Sequence, residues 1–260
     1  MPWELLKIPL ALPVFVLVLG RVSGLMLTAP IFSSRSIPNR VKVTLTLAIA
    51  WVLYPVVAAG APADISVFNA VGGMFGELLV GVTIGLAVAV VLAGVQIGGL
   101  IVGQQAGMAL ARVFDPTTNS STNSVGQIYT IVVLTMFVII GGHRAIVAAL
   151  LDTFDVIPLM SFAFTDSLVL LLVEMITAAF ILAIRLAGPA LIALSLVTLA
   201  MGLLTRTMPQ MNILSVGFNV RVLVMMASAG LAIVASQDVM LDMIMDAVDT
   251  VRIELSSVPG

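Results

Sequence analysis

Residues 78–111, LLVGVTIGLAVAVVLAGVQIGGLIVGQQAGMALA, contain no charged side chain. The length of this stretch and its lack of period-two alternation predict membrane helix instead of barrel strand. Glycines recur four positions apart, which places them on one helix face where a second backbone can approach closely. The glycines predicted to serve helix packing and assembly are Gly94, Gly98, Gly99, Gly103 and Gly107.

The amides of Gln96, Gln104 and Gln105 interrupt this stretch. Amides in an apolar setting need hydrogen-bond partners, and lipid cannot supply them. The glycine faces are also too numerous for one chain's own helices to cover. Together these features predict obligate assembly with other membrane proteins.

A polar tract, Arg112–Ser124, follows before apolar character resumes at Val125. Phe114 lies between the glycine-lined helix and the polar tail, and an apolar tip backed by hydrogen-bonding side chains suits a movable obstruction in a wet channel. The alternative is an ordinary solvent-exposed loop. The residues predicted to form the gate are Arg112, Val113, Phe114, Asp115, Pro116, Thr117, Thr118 and Asn119.

Composition indicates an integral membrane protein. Lys and Arg number 11 and Asp and Glu 13 in 260 residues, whereas about a quarter of a soluble protein is charged. The absence of Cys excludes disulfides and thiolate chemistry, and the lack of a basic patch argues against nucleic acid. The N-terminal apolar run has no signal-peptidase site, so we expect a retained first helix. We predict one all-α polytopic membrane domain over residues 1–260.

Six apolar tracts predict the membrane helices: residues 8–32, 43–63, 73–111, 125–143, 167–205 and 214–237. If each tract crosses once, the basic loops lie on the cytoplasmic side and both termini lie outside. Two tracts, 73–111 and 167–205, would be roughly 58 Å long as straight helices, against a hydrocarbon core of about 30 Å. Each is expected to be a bent hairpin, a re-entrant segment or a helix that leaves the bilayer, and Gly188-Pro189 is expected to break or kink the second.

Charged residues inside apolar tracts are costly, and with Arg221 assigned to the basic loop 206–221 there are four: Arg21, Glu77, Glu174 and Arg185. They serve a proton relay or a substrate site, or else they pair within or between subunits. Two acids matched by two arginines favour pairing.

Two polar segments near the C-terminus are predicted to be structural. Pro209 ends an apolar tract, and neighbouring polar side chains can satisfy the freed backbone groups. The predicted structural turn consists of Arg206, Pro209, Gln210 and Asn212. Further on, aspartates from Asp238 to Asp249 line one face of a predicted amphipathic helix over residues 236–255, which favours a solvated face over a metal site.

Catalytic and metal-binding signatures are missing from the chain. One His and no Cys leave no zinc-ligand set, and there is no HExxH, Gly-x-Ser-x-Gly or phosphate-loop motif. His143 follows two glycines and is predicted to be part of a polar turn at the membrane surface. We therefore expect no enzyme activity, no cofactor and no metal.

Three blocks of the sequence are recognisable. One runs from Arg21 through Pro30 and Pro38 to Lys42, one joins Gly142-His143 to Asp152-Thr-Phe154 and Ile157-Pro158, and one is GLLTRTMPQMNILSVGF, residues 202–218. They resemble signatures of the FliR/SctT family of type III secretion export-gate proteins, and the last block is more similar to the flagellar branch. The resemblance covers nearly the whole chain, although Asn219 stands where many members have proline.

The resemblance implies a fold of kinked helical hairpins, as though a FliP-like and a FliQ-like unit were fused, with much of it above the bilayer plane. It implies a non-enzymatic function, forming and gating the conduit that exports unfolded flagellar proteins, with the pore plug in Arg112–Ser124. The implied partners are FliP and FliQ in a closed helical assembly, FlhB at its base, the exported proteins and membrane lipid. The implied place is the flagellar basal body in the bacterial inner membrane.

Two other functions fit parts of the sequence. A proton-coupled secondary transporter of a small solute would use Glu77, Glu174 and the arginines as its site, and it predicts internal inverted repeats. An intramembrane hydrolase would need a catalytic pair that the sequence does not offer.

Overall fold

The computed structural model of the chain describes residues 12–34, 36–60, 65, 67–108, 124–161, 166–208, 210 and 213–256. Within these ranges the secondary structure is helical and contains no strand, which confirms the all-α prediction. The helices are α1 (Leu12–Thr28), α2 (Asn39–Ala58), α3 (Val67–Gln105), α4 (Ser124–Ile139), α5 (Gly142–Val156), α6 (Asp166–Thr207) and α7 (Ile213–Ser256).

Three of these helices, α2, α3 and α6, are long and apolar enough to cross a membrane, and α4 with α5 forms a fourth candidate as a bent pair. The chain is thus an all-α polytopic membrane protein. Among the described residues, these candidates stand in place of the six separate crossings expected from the tracts. In the part of the chain that the structure describes, α1 and the apolar segment Val216–Ala232 of α7 are shorter apolar helices.

The two long tracts fold as continuous helices. α3 has 39 residues and α6 has 42, which correspond to roughly 58 and 63 Å. Neither tract folds back as a hairpin, and Pro189 lies inside α6 without ending it. Each helix is longer than the hydrocarbon core, which fits the third expected form, a helix that leaves the bilayer.

A sharp bend of 66° separates α4 from α5. Gly141 has a φ of 81°, a left-handed conformation that glycine adopts without a Cβ clash. A turn was predicted here at His143, and residues 144–166 between two apolar tracts were not predicted to be helical, which α5 corrects. Charged residues hide this helix from a hydropathy scan, yet it buries Ile146, Ala149, Leu150 and Thr153 at helical spacing.

The last helix, α7, joins two predicted elements, the tract 214–237 and the amphipathic helix 236–255, into 44 continuous residues. Asp238, Asp242 and Asp246 are exposed on it. Their exposure confirms the predicted solvated face for these three residues.

Packing divides the chain into two compact units. The first contains the described residues of Met1–Val90, Val138–Met175 and Ile244–Gly260, and the second those of Val91–Phe137 and Ile176–Met243. In the first unit α1 packs on α2, where Phe15 meets Trp51 and Tyr54 edge to face at ring-centroid distances of 6.2 and 6.0 Å. In the second unit the fully buried side chains include Leu182, Leu186 and Leu194 of α6.

Candidate assembly and gating site

A buried ion pair joins α1 to α3 in the first unit. Arg21 Nε donates a hydrogen bond of 2.6 Å to Glu77 Oε2, and both side chains are 0% exposed. This contact confirms the predicted pairing for two of the four charges in apolar tracts. The other two, Glu174 and Arg185, are exposed on α6, and neither forms an ion pair or a hydrogen bond in the structure's described ranges.

The guanidinium of Arg21 also reaches the C-terminal turn of α5. Its Nη1 donates to the Thr153 carbonyl oxygen at 2.8 Å and to the Thr153 hydroxyl at 3.2 Å, and its Nη2 donates to the Ile157 carbonyl oxygen at 3.1 Å. The guanidinium carbon lies 4.1 Å from the ring centroid of Phe154. A cation among the last carbonyls of a helix is favoured because they carry the negative end of the helix dipole.

The second carboxylate oxygen of Glu77 holds the loop that follows α5. The Met160 N–H donates to Glu77 Oε1 at 2.9 Å. Met160 has a φ of 69°, a conformation that costs a non-glycine residue about 1–3 kcal/mol. Gly73 leaves room for this loop, since a Cβ there would lie 3.0 Å from Met160 Cγ. One ion pair therefore fixes α1, α3, α5 and the loop 157–161 together.

This cluster is not evident from the sequence. Arg21, Thr153, Phe154 and Ile157 belong to the recognisable blocks, but Glu77 belongs to none of them. Arg21 and Thr153 are 132 residues apart, and no local spacing links them. The sequence does place opposite charges, Arg21 and Glu77, in apolar tracts. Such charges are predicted to pair, but the sequence does not say which residues pair with each other.

Glycines allow α1 and α3 to touch backbone to backbone. A Cβ at Gly81 would overlap the carbonyl oxygen of Arg21, and one at Gly24 would overlap that of Leu78. The Thr28 hydroxyl lies beside Gly85 and donates a hydrogen bond of 3.2 Å to the Val82 carbonyl oxygen. This close contact is the small-residue packing that four-residue spacing predicts.

The second unit contains the predicted packing glycines Gly94, Gly98 and Gly99. A Cβ at Gly94 would lie 2.5 Å from the carbonyl oxygen of Ala179 on α6, and one at Gly98 would lie 3.0 Å from that of Ala183. A Cβ at Gly99 would overlap the backbone of Gly126 on α4. These three glycines pack against helices of their own chain. We had expected their faces to be covered by a second chain, and this packing corrects that expectation.

Gly103 and Gly107 lie at the end of α3. Gly103 is buried inside the helix, whereas Gly107 lies beyond it with a φ of 89°. Its N–H donates to the Gln104 carbonyl oxygen at 3.0 Å, and the Met108 N–H donates to that of Gly103 at 3.1 Å. These two bonds form a glycine C-cap. Gly107 therefore terminates the helix, which corrects its expected place on a packing face.

An exposed stripe runs along the C-terminal half of α3. Ala93, Gln96, Leu100 and Gln104 are exposed and follow one another at helical spacing. In the sequence the stripe precedes the predicted gate residues Arg112–Asn119, which lie outside the described residues. This exposed face carries amide side chains, whereas the glycine faces of α3 are covered by other helices.

The predicted structural turn is described in part. Arg206 is exposed in the last turn of α6, and Gln210 is exposed after it. Pro209 and Asn212 lie outside the described residues. α6 ends at Thr207 and α7 begins at Ile213, so the two helices are separated where the turn was expected, and the turn's structural role stays a prediction.

The comparisons with known proteins agree over most of the chain. Residues 12–247 match the family described as bacterial export proteins, family 1. The chain is 31% identical over 211 residues to flagellar biosynthetic protein FliR of Pectobacterium carotovorum subsp. carotovorum, covering 81% of this chain and 80% of the relative. It is 32% identical over 200 residues to FliR of Escherichia coli (strain K12), 76% of each chain, and 24% identical over 202 residues to Yop proteins translocation protein T of Yersinia pestis, 76% of this chain and 77% of the relative. The chain therefore belongs to the bacterial export proteins, family 1.

Proposed function

We propose that the chain is a non-enzymatic subunit of the flagellar type III protein export gate, where it forms and gates the conduit for unfolded flagellar proteins. Its family is one of bacterial export proteins, and its long apolar helices embed it in a membrane. Relatives named as flagellar FliR support the flagellar assignment. The similarity to a Yop translocation protein supports the wider link to type III secretion.

The observation that carries the proposal is the construction of α3. Gly94, Gly98 and Gly99 close one part of its surface against other helices, while the amide of Gln104 lies on an exposed stripe. An amide is unfavourable against lipid. It both donates and accepts hydrogen bonds, as does the backbone of an unfolded polypeptide, so this stripe suits a wet path for such a chain.

The gate in this proposal is Arg112–Ser124, with Phe114 as its apolar tip. The α3 helix ends at a glycine cap, Gly107, which precedes this tract by five residues in the sequence. Thr117, Thr118 and Asn119 can exchange hydrogen bonds for water as the tract moves. Opening then costs little, because the bonds lost to protein are regained with water.

The proposed partners are FliP and FliQ in a closed helical assembly and FlhB at its base, in the flagellar basal body of the inner membrane. The resemblance of the three sequence blocks supports these partners. The same proposal assigns the buried Arg21–Glu77 pair a structural role inside the subunit. Glu77 is enclosed by Arg21 and the Met160 N–H, which leaves it badly placed as the solute site of a transporter.

Deletion of residues 115–121 tests the gate. We expect the complex to assemble at normal yield and the membrane to conduct ions, measured as conductance or small-molecule entry in cells that carry the shortened gate. Ser121→Ala serves as the matched control, since it keeps the length of the tract and its apolar tip, and it should not leak. An assembled complex with unchanged conductance would place the barrier elsewhere and leave this tract a surface loop.

A further inference from the structure

Arg185 lies near the middle of α6 on an exposed apolar face of the second unit. Its neighbours at helical spacing include Ile181, 45% exposed, and Ile192, 66% exposed. The guanidinium forms no hydrogen bond and no ion pair in the portion of the chain that the structure describes. We call this surface the Arg185 face and define it by Ile181, Ile184, Arg185, Gly188 and Ile192.

A lipid bilayer alone does not account for the exposed side of α6. Exposed apolar side chains continue from Ile176 to Leu204, a helical length of roughly 42 Å, whereas the hydrocarbon core is about 30 Å thick. A single bilayer therefore leaves about a quarter of this apolar side outside lipid. Apolar surface of that extent marks contact with another protein.

The position of Arg185 in the sequence also argues against lipid as the only cover of this side of α6. Residues 186–205 carry no charge and would fill the hydrocarbon core by themselves, at roughly 30 Å. That placement leaves Ile181 and Ile184 beyond the core, on the same side as Arg185. Sliding the helix to cover them instead carries the guanidinium into hydrocarbon, where an unpaired charge is costly. Lipid alone suits neither placement, which favours a protein surface over the Arg185 face.

The shape and charge of this face indicate what covers it. A Cβ at Gly188 would meet no atom within 4 Å, so there is open space where another helix can approach between Ile184 and Ile192. The guanidinium offers a planar fork of donors that matches a carboxylate. The buried Arg21 is paired with Glu77, whereas Arg185 pairs with no acid among the described residues.

We propose that the Arg185 face is a docking surface for a helix of another export-gate subunit, one that places an Asp or Glu opposite Arg185 and small or aliphatic residues opposite Gly188. This inference rests on the proposed function, because it assumes that the chain is a subunit of an assembly. It adds the surface that is used and the chemistry of the partner that fits it.

A photo-crosslinking amino acid at Ile192 tests the docking. The full chain is produced with its native partner subunits, irradiated in membranes and purified, and the adducts are identified by mass spectrometry. We expect one protein adduct on a helix that carries an acidic residue within about two turns of the cross-link. Arg185→Glu should lower the adduct yield at least tenfold, and exchanging that acid for Arg on the partner should restore it. Arg40→Glu, the same charge change at the exposed start of α2, should leave the yield unchanged.

Three results would overturn the docking proposal: an adduct on lipid, an adduct on a helix without an acid, or a loss that the exchanged pair does not restore. The restoration also separates docking from misfolding, since a misfolded variant would not recover when only the partner changes. The proposed function fails differently, because the chain would then run alone on native gels instead of in a large complex. If the complex is large but the yield of the Ile192 adduct is the same with Arg or Glu at residue 185, the docking proposal is contradicted and the proposed function is not.

Discussion

Replacing Glu77 by Gln tests the buried ion pair most sharply. Glu77→Gln keeps the size of the side chain and removes its charge. The Arg21 guanidinium is then left at 0% exposure without a counterion, although its bonds to the carbonyl oxygens of Thr153 and Ile157 remain possible. The variant therefore keeps the packing but removes the charge and one of the two acceptors, because Glu77 accepts from Arg21 Nε at one oxygen and from the Met160 N–H at the other.

The expected cost follows from the burial. Breaking a buried ion pair by removing one partner costs about 3–5 kcal/mol. The carbonyl bonds that Arg21 keeps place the cost of Glu77→Gln at the lower end of this range, about 3 kcal/mol. At 2–4 °C per kcal/mol for a chain of this size, the unfolding midpoint should fall by roughly 6–12 °C.

The assay is thermal unfolding of the purified complex, followed as loss of the intact species on size exclusion after heating. Asp155→Asn is the matched control, since Asp155 is an exposed carboxylate on α5 and surface changes are usually within about 0.5 kcal/mol. Equal midpoints for Glu77→Gln and Asp155→Asn would refute the idea that the pair holds the first unit together.

Three further outcomes are expected. Arg21→Lys should destabilise the complex almost as much as Glu77→Gln, because a single ammonium cannot reproduce the fork of bonds, and a wild-type midpoint would contradict this. Gly81→Leu and Gly99→Leu should abolish complex recovery on native gels, since a Cβ there meets backbone, whereas Gly72→Leu has open space and should not; equal yields for all three would remove the packing argument. Gln210→Ala should lower complex stability and protein secretion together, and loss of secretion from an intact complex would show a direct role in substrate passage.

The sequence predicts the helices well in the long apolar tracts, even where single charges such as Glu174 and Arg185 interrupt them. The charge-free stretch 78–111 and the tract 167–205 correspond to α3 and α6, and the glycine spacing in the first predicts close helix contacts. α5 escapes a hydropathy scan, because Arg144, Asp152 and Asp155 dilute an amphipathic helix that buries only one face.

Pairing partners are harder to predict than helices. The cost of charge in apolar tracts predicts that Arg21 pairs, but its partners Glu77 and Thr153 come from distant parts of the chain. Spacing also does not say whether a small face meets its own chain or another. By sequence, Gly94, Gly98 and Gly99 could contact either their own chain or a second one. In the structure they pack against helices of their own chain.

The most direct test of the conduit is to ask which face of the subunit an exported chain touches. A photo-crosslinking residue at Gln104, on the exposed amide stripe of α3, is compared with one at Ile192 on the Arg185 face, while an unfolded flagellar export substrate is stalled in transit. The conduit proposal predicts adducts with the substrate at Gln104 and none at Ile192. Substrate adducts absent from Gln104 in a stalled complex, or equal at both positions, would contradict it.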